Sequence, residues 1–177
     1  MEVQPEWSRR HCIPPMGVVL VSTLNGEVAN LAPFGMFMPV SSRPPRIALG
    51  ISERRDTFRN IVNTGEFVVA VPSPEQVEVI RICAIAYPPD VSEFEEAGVT
   101  PEPSKVVKPY RVKECQTNLE CKLVWMKEAG DHHVVVGEIV AAAVKEELST
   151  PDWDRTHLQP VYFAGGDSYY GRGELIK

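Results

Sequence analysis

The apolar positions fall into strand-like runs near the start and towards the end of the chain, and into helix-like spacing in its middle. Near the start, apolar runs over residues 18–22 and 28–32 flank Asn25-Gly26. Asn-Gly between two apolar runs is a strong hairpin signal, because the favoured two-residue turn needs positive φ at both central positions. The pattern therefore predicts that the two runs pair as antiparallel strands.

Prolines set where this first sheet is expected to be interrupted. Pro33 lacks a backbone donor and pushes Ala32 towards extended geometry, so we expect the second strand to stop there and to leave main-chain amides exposed. The segment that follows is expected to be a loop around Ser41-Ser42, because three prolines break it up: Pro39, Pro44 and Pro45. Turn chemistry is the simplest interpretation of the two serine hydroxyls.

Residues 73–98 contain two helix signals. Ser73-Pro74-Glu75-Gln76 is a capping box with proline at the first helical position, and the apolar spacing after it predicts a helix that continues to Pro88-Pro89. A short helix is expected over residues 92–97 and is closed by Gly98. The apolar face of the longer helix is expected to pack on the core.

The last third of the chain is predicted to return to strands. Apolar and polar residues alternate over residues 119–125, residues 134–144 form a long apolar run, and residues 128–131 supply the turn of a long hairpin. Gly137 lies inside the second strand and indicates a bend or a close approach. A short closing strand is expected at residues 160–163, followed by a flexible tail with Gly165-Gly166 and two tyrosines.

Composition and charge restrict the class of protein. The 177 residues, 44% of them hydrophobic, suffice for one globular domain over residues 1–177. The formal net charge of -6 argues against a nucleic-acid partner, which requires a basic face, so a small molecule is the expected partner. The first ten residues contain no signal-peptide core and no run approaches the ~20 apolar residues that cross a bilayer. We therefore expect a cytoplasmic protein that does not contact a membrane.

Cysteine and histidine spacing gives little support to a metal site. The four cysteines have no Cys-x-x-Cys spacing and are expected to be free, mostly buried thiols: Cys12, Cys83, Cys115 and Cys121. His132 and His133 are adjacent in a predicted strand, where neighbouring side chains point to opposite faces, so they are not expected to share an ion.

Residues 54–65 suggest a phosphate-binding site. Asp56 or Thr57 can cap a short helix that runs to residue 63 and closes at Gly65. The start of a helix presents unpaired amides and a positive dipole end, and Arg54 and Arg55 lie immediately before it. Two guanidinium groups, a hydroxyl and free amides suit a phosphate monoester. The alternative is a capped surface helix with two solvated arginines, and residue chemistry alone does not choose between them.

An ordered set of short motifs runs along the chain from about residue 14 to about residue 173. They are Asn25-Gly26, Asn30-Leu31-Ala32-Pro33-Phe34, Pro39-Val40-Ser41-Ser42, Pro44-Pro45, Arg55-Asp56-Thr57, Asn60-Ile61, Gly65-Glu66-Phe67-Val68-Val69, Gly130-Asp131-His132, Val136-Gly137-Glu138-Ile139, Gly165-Gly166 and Tyr169-Tyr170. No single motif is specific, but the ordered set resembles the flavin reductase-like, FMN-binding split-barrel family, which includes flavoredoxins.

The resemblance implies a mainly β fold with peripheral helices, an FMN-binding split β-barrel that forms a homodimer with FMN near the interface. The residues that it implies for cofactor binding are Thr23, Asn30, Leu31, Ala32, Pro33, Ser41, Ser42, Arg54, Arg55, Thr57 and Tyr170. Relatives often have serine where this chain has Gly35. The main-chain amides of Leu31 and Ala32, together with Asn30, are therefore the expected contacts to the polar edge of the flavin ring.

The resemblance also implies a role for His132, which matches the family's Gly-Asp-His element. It would face the flavin and orient the nicotinamide of NADH or NADPH, because hydride transfer is chemistry of the two cofactors that the protein positions. The alternative is an ordinary surface histidine in a turn.

The expected activity is that of an oxidoreductase with bound FMN, similar to a flavin reductase or a flavoredoxin. NADH or NADPH is a candidate electron donor, and a small molecule or another protein is the expected acceptor. The alternative is a split-barrel protein that binds FMN or another small ligand without catalysis. The chain contains no Gly-x-Gly-x-x-Gly, no Gly-x-x-x-x-Gly-Lys and no Gly-x-Ser-x-Gly, so Rossmann, P-loop and serine hydrolase modes lack support.

Overall fold

A seven-stranded antiparallel sheet is the main element of the computed structural model, which describes residues 12–149 and 158–171. In these ranges the strands are β1 (Met16–Gly17), β2 (Val19–Asn25), β3 (Val28–Phe34), β4 (Phe37–Ser42), β5 (Pro45–Ile51), β6 (Glu66–Val71), β7 (Pro101–Glu102), β8 (Arg111–Val112), β9 (Thr117–Ala129), β10 (His132–Val144), β11 (Tyr162–Gly165) and β12 (Ser168–Tyr170). The α-helices in these ranges are α1 (Asp56–Thr64), α2 (Val77–Cys83) and α3 (Glu93–Glu96), and Pro74–Gln76 and Glu146–Leu148 are 3₁₀ turns.

The large sheet curls upon itself. Its strand order is β3-β2-β6-β9-β10-β5-β4, so β2 and β5 lie near opposite ends. Val21 of β2, Phe67 of β6 and Leu49 of β5 nevertheless belong to one buried cluster, together with Ile61 of helix α1. Strands from both ends of the sheet can share one core only if the sheet closes round it, as in a barrel.

A second core covers the other face of β2, β3 and β6. Leu20 and Leu31 of the sheet pack there against Ile80 of helix α2 and Phe94 of helix α3. The apolar face predicted for the longer helix thus packs on the core at Val77 and Ile80, whereas Ala84 is exposed. The helices lie at the periphery, as the sequence indicated.

The first hairpin forms as predicted, but β3 does not stop at Ala32. Asn25 pairs with Val28, and the ladder continues until Leu20 pairs with Pro33 and Val19 with Phe34. The expectation that Pro33 ends the strand was wrong because β3 is an edge strand, where a missing amide donor leaves no neighbouring strand unpaired.

The segment with Ser41-Ser42 is also a strand rather than the expected loop. β4 pairs with β5 from Phe37, opposite Leu49, to Ser42, opposite Pro45, with an irregularity in register after Pro39. β4 is the other edge of the large sheet, so Pro39 is tolerated for the same reason as Pro33 in β3, while Pro44 lies in the turn and Pro45 is the first residue of β5.

Helix α1 begins without the predicted side-chain cap. Its N-cap is Arg55, which makes no side-chain capping bond, and Asp56 is instead ion-paired with Arg59 one turn further on. The predicted C-terminal end is confirmed, because Gly65 has φ 69° and its amide donates to the Ile61 carbonyl at 2.8 Å.

The second helix is shorter than its apolar spacing predicted. The capping box is present, with the Ser73 amide donating to Gln76 Oε1 at 2.9 Å, but the first turn is 3₁₀ and helix α2 already ends at Cys83. Prediction of its end at Pro88-Pro89 was therefore wrong. The short helix before Gly98 is confirmed as α3.

The long hairpin of β9 and β10 is confirmed, with Gly130 and Asp131 between the strands. The register shifts between Val136 and Gly137, and a Cβ atom at Gly137 would clash with the ring of Phe67. Gly137 thus allows the close approach that its place in the sequence indicated.

The end of the described chain is a hairpin and not the expected flexible tail. β11 forms a three-stranded sheet with β1 and β12, the turn is made by Gly166 and Asp167, and both Gly165 and Gly166 have positive φ. Arg81 of helix α2 donates to the Asp167 carbonyl at 3.0 Å and lies 5.7 Å from the centre of the Tyr169 ring. The closing strand, predicted over residues 160–163, begins at Tyr162.

The organisation of residues 1–177 as a single domain stays a prediction.

Candidate functional site

A cavity of about 170 Å³ lies where the ends of β3 and β5 meet the starts of α1 and β10. We call it the central cavity, and its lining residues are Pro33, Phe34, Gly35, Met36, Gly50, Ser52, Arg55 and His132. Three residues that the sequence assigned to different roles, Pro33, Arg55 and His132, therefore meet at one place. The curled sheet brings them together from three distant parts of the chain.

Two larger cavities adjoin the central cavity. The apolar cavity, of about 420 Å³, shares Gly35, Met36 and Gly50 with it and is also lined by Met16 and Met38. The polar cavity, of about 360 Å³, shares Ser52 with it. Its other lining residues are Glu53, Arg54, Glu128, Gly130, Asp131 and His133. The three cavities form a trench that changes from apolar to polar along its length.

The start of helix α1 forms the cationic part of this trench. The first intrahelical bond is donated by the Phe58 amide to the Arg55 carbonyl at 3.1 Å, so the amides of Asp56 and Thr57 precede the hydrogen-bonded turn. Among the residues that the structure describes, neither Arg54 nor Arg55 has a carboxylate oxygen within 4.0 Å. These two guanidinium groups are available to an anion.

Five buried polar side chains lie behind the central cavity, and we call them the Asn30 network: Thr23, Asn30, Thr57, Asn60 and Glu93. The Asn30 Oδ1 atom accepts from Thr23 Oγ1 at 3.0 Å and from Thr57 Oγ1 at 3.2 Å. Asn60 Nδ2 donates to Thr23 Oγ1 at 3.0 Å. Asn30 Nδ2 lies 3.0 Å from both carboxylate oxygens of Glu93.

Glu93 also binds the main chain of the predicted flavin-binding segment. The Leu31 amide donates to Glu93 Oε2 at 3.0 Å, which occupies a donor that the sequence assigned to the flavin ring. Burial raises the pKa of the Glu93 carboxyl group, as does the negative charge of Asp56, while the bonds from Leu31 and Asn30 oppose this rise. The network therefore already occupies the Leu31 amide and the Thr57 hydroxyl.

The two adjacent histidines point to different sides, as predicted. His132 lines the central cavity, and its Nδ1 atom lies 2.8 Å from Asp131 Oδ1, which fixes the orientation of the ring. His133 faces the polar cavity and its ring centre lies 4.7 Å from that of Phe58. The His133 Nδ1 atom is buried and has no hydrogen-bond partner among the described residues.

Several predicted site residues do not line these three cavities. Ser41 and Ser42 lie at the tip of the β4–β5 hairpin, opposite Arg46 and Pro45. Tyr170 pairs with Tyr162 in the small sheet. Thr23 and Leu31 are fully buried, whereas Ala32 is partly exposed next to Pro33.

Some lining and supporting residues were not identified from the sequence. Ser52, Glu128 and the methionines of the apolar cavity come from five different strands or loops, and no local pattern connects them. Glu93 is one of three acidic residues in a four-residue helix, and only the fold shows that this one is buried.

Within the described residues, no group of three or more His, Cys, Asp or Glu side chains is arranged to hold a metal ion. None of the helices in this part of the chain is both long enough and apolar enough to span a membrane. Cys83, Cys115 and Cys121 are buried free thiols and Cys12 is an exposed one. Burial raises the pKa of the Cys83 and Cys115 thiols to about 12, so neither is a reactive thiolate.

Comparison with known proteins identifies the family. The flavin reductase like domain matches residues 11–170. An uncharacterised protein from Aquifex aeolicus is 35% identical over 165 residues, which cover 89% of this chain and 84% of the relative. The chain belongs to the flavin reductase-like family.

Solved structures agree with this assignment. Nitrilotriacetate monooxygenase component B from Bacillus cereus superposes with a TM-score of 0.91 at 29% identity, covering 100% of this chain and 98% of that one. Flavoredoxin of Desulfovibrio vulgaris (Miyazaki F) superposes with a TM-score of 0.87 at 27% identity, covering 100% and 96%. The curled sheet is therefore the split barrel of this family, and the predicted fold class is confirmed.

Proposed function

We propose that the protein is an oxidoreductase that binds FMN in the trench and transfers electrons from it to a small molecule or another protein. The observation that supports this most directly is the central cavity, where the unpaired guanidinium group of Arg55 lies beside Pro33, Gly35 and His132. A cation at a helix start, an irregular strand end and a histidine in one cavity suit a phosphorylated flavin.

The donor set at the start of helix α1 fits the phosphate group of FMN. Arg54 and Arg55 supply charge-assisted donors, and the amides before the first helical turn supply neutral ones. Thr57 is 1% exposed and its hydroxyl donates to Asn30, so it supports this segment from below. Ser41, Ser42 and Tyr170 remain candidates for contacts that involve a second subunit.

The other end of the trench fits the flavin ring. Pro33, Phe34 and Gly35 border the central cavity on the β3 side, and the nearest atom to a Cβ at Gly35 would be Met16 Cε at 3.7 Å. The methionines of the adjoining apolar cavity offer adaptable apolar contacts. When bound, FMN supplies hydride and single-electron chemistry, and the chain's own residues bind it, orient it and shield it from water.

His132 is proposed to orient the nicotinamide of NADH or NADPH. Its ring lines the central cavity and is held by Asp131 through Nδ1, so Nε2 is the free nitrogen. A fixed ring next to the flavin would hold the donor in a productive position without exchanging a proton.

A cytoplasmic location is proposed as well. The three buried free thiols support it, because the cytoplasm is a reducing compartment in which cysteines stay unpaired.

The absorbance spectrum of the freshly purified protein tests FMN binding first. We expect a yellow protein whose flavin, released by heat, is FMN. A colourless protein that does not bind added FMN would contradict the proposal and favour a split-barrel protein for another small ligand.

Replacement of Arg55 by alanine tests the phosphate site. We expect Arg55→Ala to weaken FMN binding by about 1.5 to 3 kcal/mol, the scale of a hydrogen bond to a charged group, as measured by quenching of flavin fluorescence. Lys113→Ala removes one positive charge from an exposed position outside the trench and is the control. Equal FMN affinity in Arg55→Ala and in the parent would move the phosphate to another place.

A further inference from the structure

The Asn30 network connects two walls of the central cavity. On one side, Asn30 lies on the same strand, β3, as Pro33, which lines the cavity. On the other side, Thr57 follows two residues after Arg55, which lines the opposite wall. The 3.2 Å bond from Thr57 Oγ1 to Asn30 Oδ1 joins the two segments. The orientation of the Asn30 side-chain amide therefore determines whether this bond between the two walls can form.

Glu93 determines that orientation. An ionised carboxylate only accepts hydrogen bonds, so it holds the Nδ2 side of Asn30 and turns Oδ1 towards the two threonines. Asn60 Nδ2 can only donate to Thr23 Oγ1, which leaves the Thr23 proton for Asn30 Oδ1. An inverted Asn30 amide would place its oxygen against the carboxylate. Every bond in the network thus has one direction.

A buried carboxylate without a cationic partner, such as that of Glu93, is unusual in a purely structural contact. The residue is 7% exposed, and no described basic side chain lies within 4.0 Å of its carboxylate. A buried carboxylate without a cationic partner costs free energy, and the nearby charge of Asp56 adds to that cost. Beyond its own main chain, the described donors to its carboxylate are Asn30 Nδ2 and the Leu31 amide, at the base of the proposed ring-binding segment.

We propose that Glu93 is a positioning residue for the flavin cavity, which acts through Asn30 and Thr57 to hold the β3 wall and the Arg55 wall at the separation that binds FMN. The inference rests on the proposed function, because it concerns how the two FMN-binding walls are held. Glu93 itself does not line the cavity.

A neutral isostere tests this role. In Glu93→Gln the new amide NH2 group takes the place of Oε1, where it faces the donor Asn30 Nδ2, or of Oε2, where it faces both Asn30 Nδ2 and the Leu31 amide, so a donor is set against a donor in either orientation. We expect FMN to bind roughly tenfold more weakly, the equivalent of one lost buried hydrogen bond. The dissociation constant is measured by flavin fluorescence, at a temperature well below the unfolding midpoint of each variant. Glu95→Gln, an exposed position on the same helix, is the matched control and should bind FMN like the parent.

A double substitution separates positioning from general destabilisation. Asn30→Asp combined with Glu93→Gln exchanges carboxylate and amide: the new amide donates to the new carboxylate, which still accepts from both threonines. The Leu31 amide keeps an oxygen acceptor at position 93. We expect FMN affinity to return to within about threefold of the parent. Thr57→Val removes only the bond to helix α1 and should weaken FMN binding about as much as Glu93→Gln, which provides a second test if the latter does not fold.

The outcomes distinguish the two proposals. If the parent does not bind FMN, the proposed function fails, and this inference fails with it. If the parent binds FMN and both Glu93→Gln and Thr57→Val bind it equally well, Glu93 has only a structural role and the inference is overturned. A folded double variant that remains as weak as Glu93→Gln would also overturn it.

Discussion

Single side chains in this protein are used differently from what their position in a motif indicates. The sequence predicted that Thr57 and Leu31 bind the cofactor. In the structure, the Thr57 hydroxyl and the Leu31 amide both form hydrogen bonds within the Asn30 network instead. Buried polar groups need partners, and the fold supplies these internally. Arg54, Arg55 and His132 are different, because they keep donors or a ring nitrogen free beside the trench.

His132 allows a test at this scale. We expect His132→Ala to retain FMN but to be reduced by NADH or NADPH on the order of tenfold to hundredfold more slowly, because the nicotinamide loses a positioned contact. Stopped-flow absorbance of the FMN-loaded protein measures the rate. Dithionite reduction is the control and should not change. A variant that is reduced as fast as the parent would make His132 an ordinary surface residue.

The same experiment separates two activities. If neither nicotinamide reduces the parent protein while dithionite does, direct oxidation of NADH or NADPH is excluded. The protein would then be a carrier that receives electrons from another protein.

At the scale of elements, one buried carboxylate holds the crossing between helix α3 and β9. Glu120 accepts the amides of Lys105 at 2.9 Å, Val106 at 2.6 Å and Val107 at 3.2 Å, and is ion-paired with the buried Arg111. Burial by itself would raise the pKa of Glu120, but these donors together lower it below its ordinary value. An irregular segment is thus ordered by one side chain of a strand.

Glu120→Gln is expected to lower the free energy of unfolding by about 3 to 5 kcal/mol, because Arg111 would be left buried without its anion. Urea denaturation measures the loss, and Glu114→Gln is the control, since its carboxylate accepts the exposed Thr100 amide. Because the folded-state pKa of Glu120 is lowered, its contribution is present above the ordinary carboxyl pKa and lost as pH falls through the lowered value. The difference between parent and variant should shrink in that acidic range.

At the scale of the whole molecule, an apolar row crosses four adjacent strands of the large sheet. Met38, Ala48, Val136 and Trp125 are directly paired across these strands and therefore point to the same side. Met38 is 58% exposed and Trp125 is 47% exposed at the ends of this row, whereas Ala48 and Val136 between them are buried. Large exposed apolar side chains next to the trench are typical of a protein interface, which supports the expected homodimer.

Sedimentation at micromolar concentration tests the dimer. We expect the parent to sediment as a dimer and Trp125→Lys to shift it towards monomer, because a charge would be buried in the interface. Val62→Lys is the control, since Val62 is 52% exposed on helix α1 and lies outside the apolar row. A monomeric parent that retains FMN would contradict the assembly.

The sequence by itself determined the local elements and the family. Asn25-Gly26, the capping box at Ser73, Gly65 and the turn at Gly130 each encode a backbone geometry in a few neighbouring residues, and these predictions are confirmed. The ordered motifs identified the flavin reductase-like fold for the same reason, because each marks one local part of it. Arg54 and Arg55 stood out because two cations directly before a helix start are a local pattern.

Only the tertiary structure decided which groups meet. Whether Pro33 interrupts a ladder depends on whether its strand is an edge, and the apolar spacing of the sequence did not show that helix α2 ends at Cys83. The approach of Glu93 to Asn30 joins residues 63 positions apart. Such contacts arise when the sheet curls and buries them, and the free energy of that burial is shared among many strands, so no short stretch of sequence specifies it.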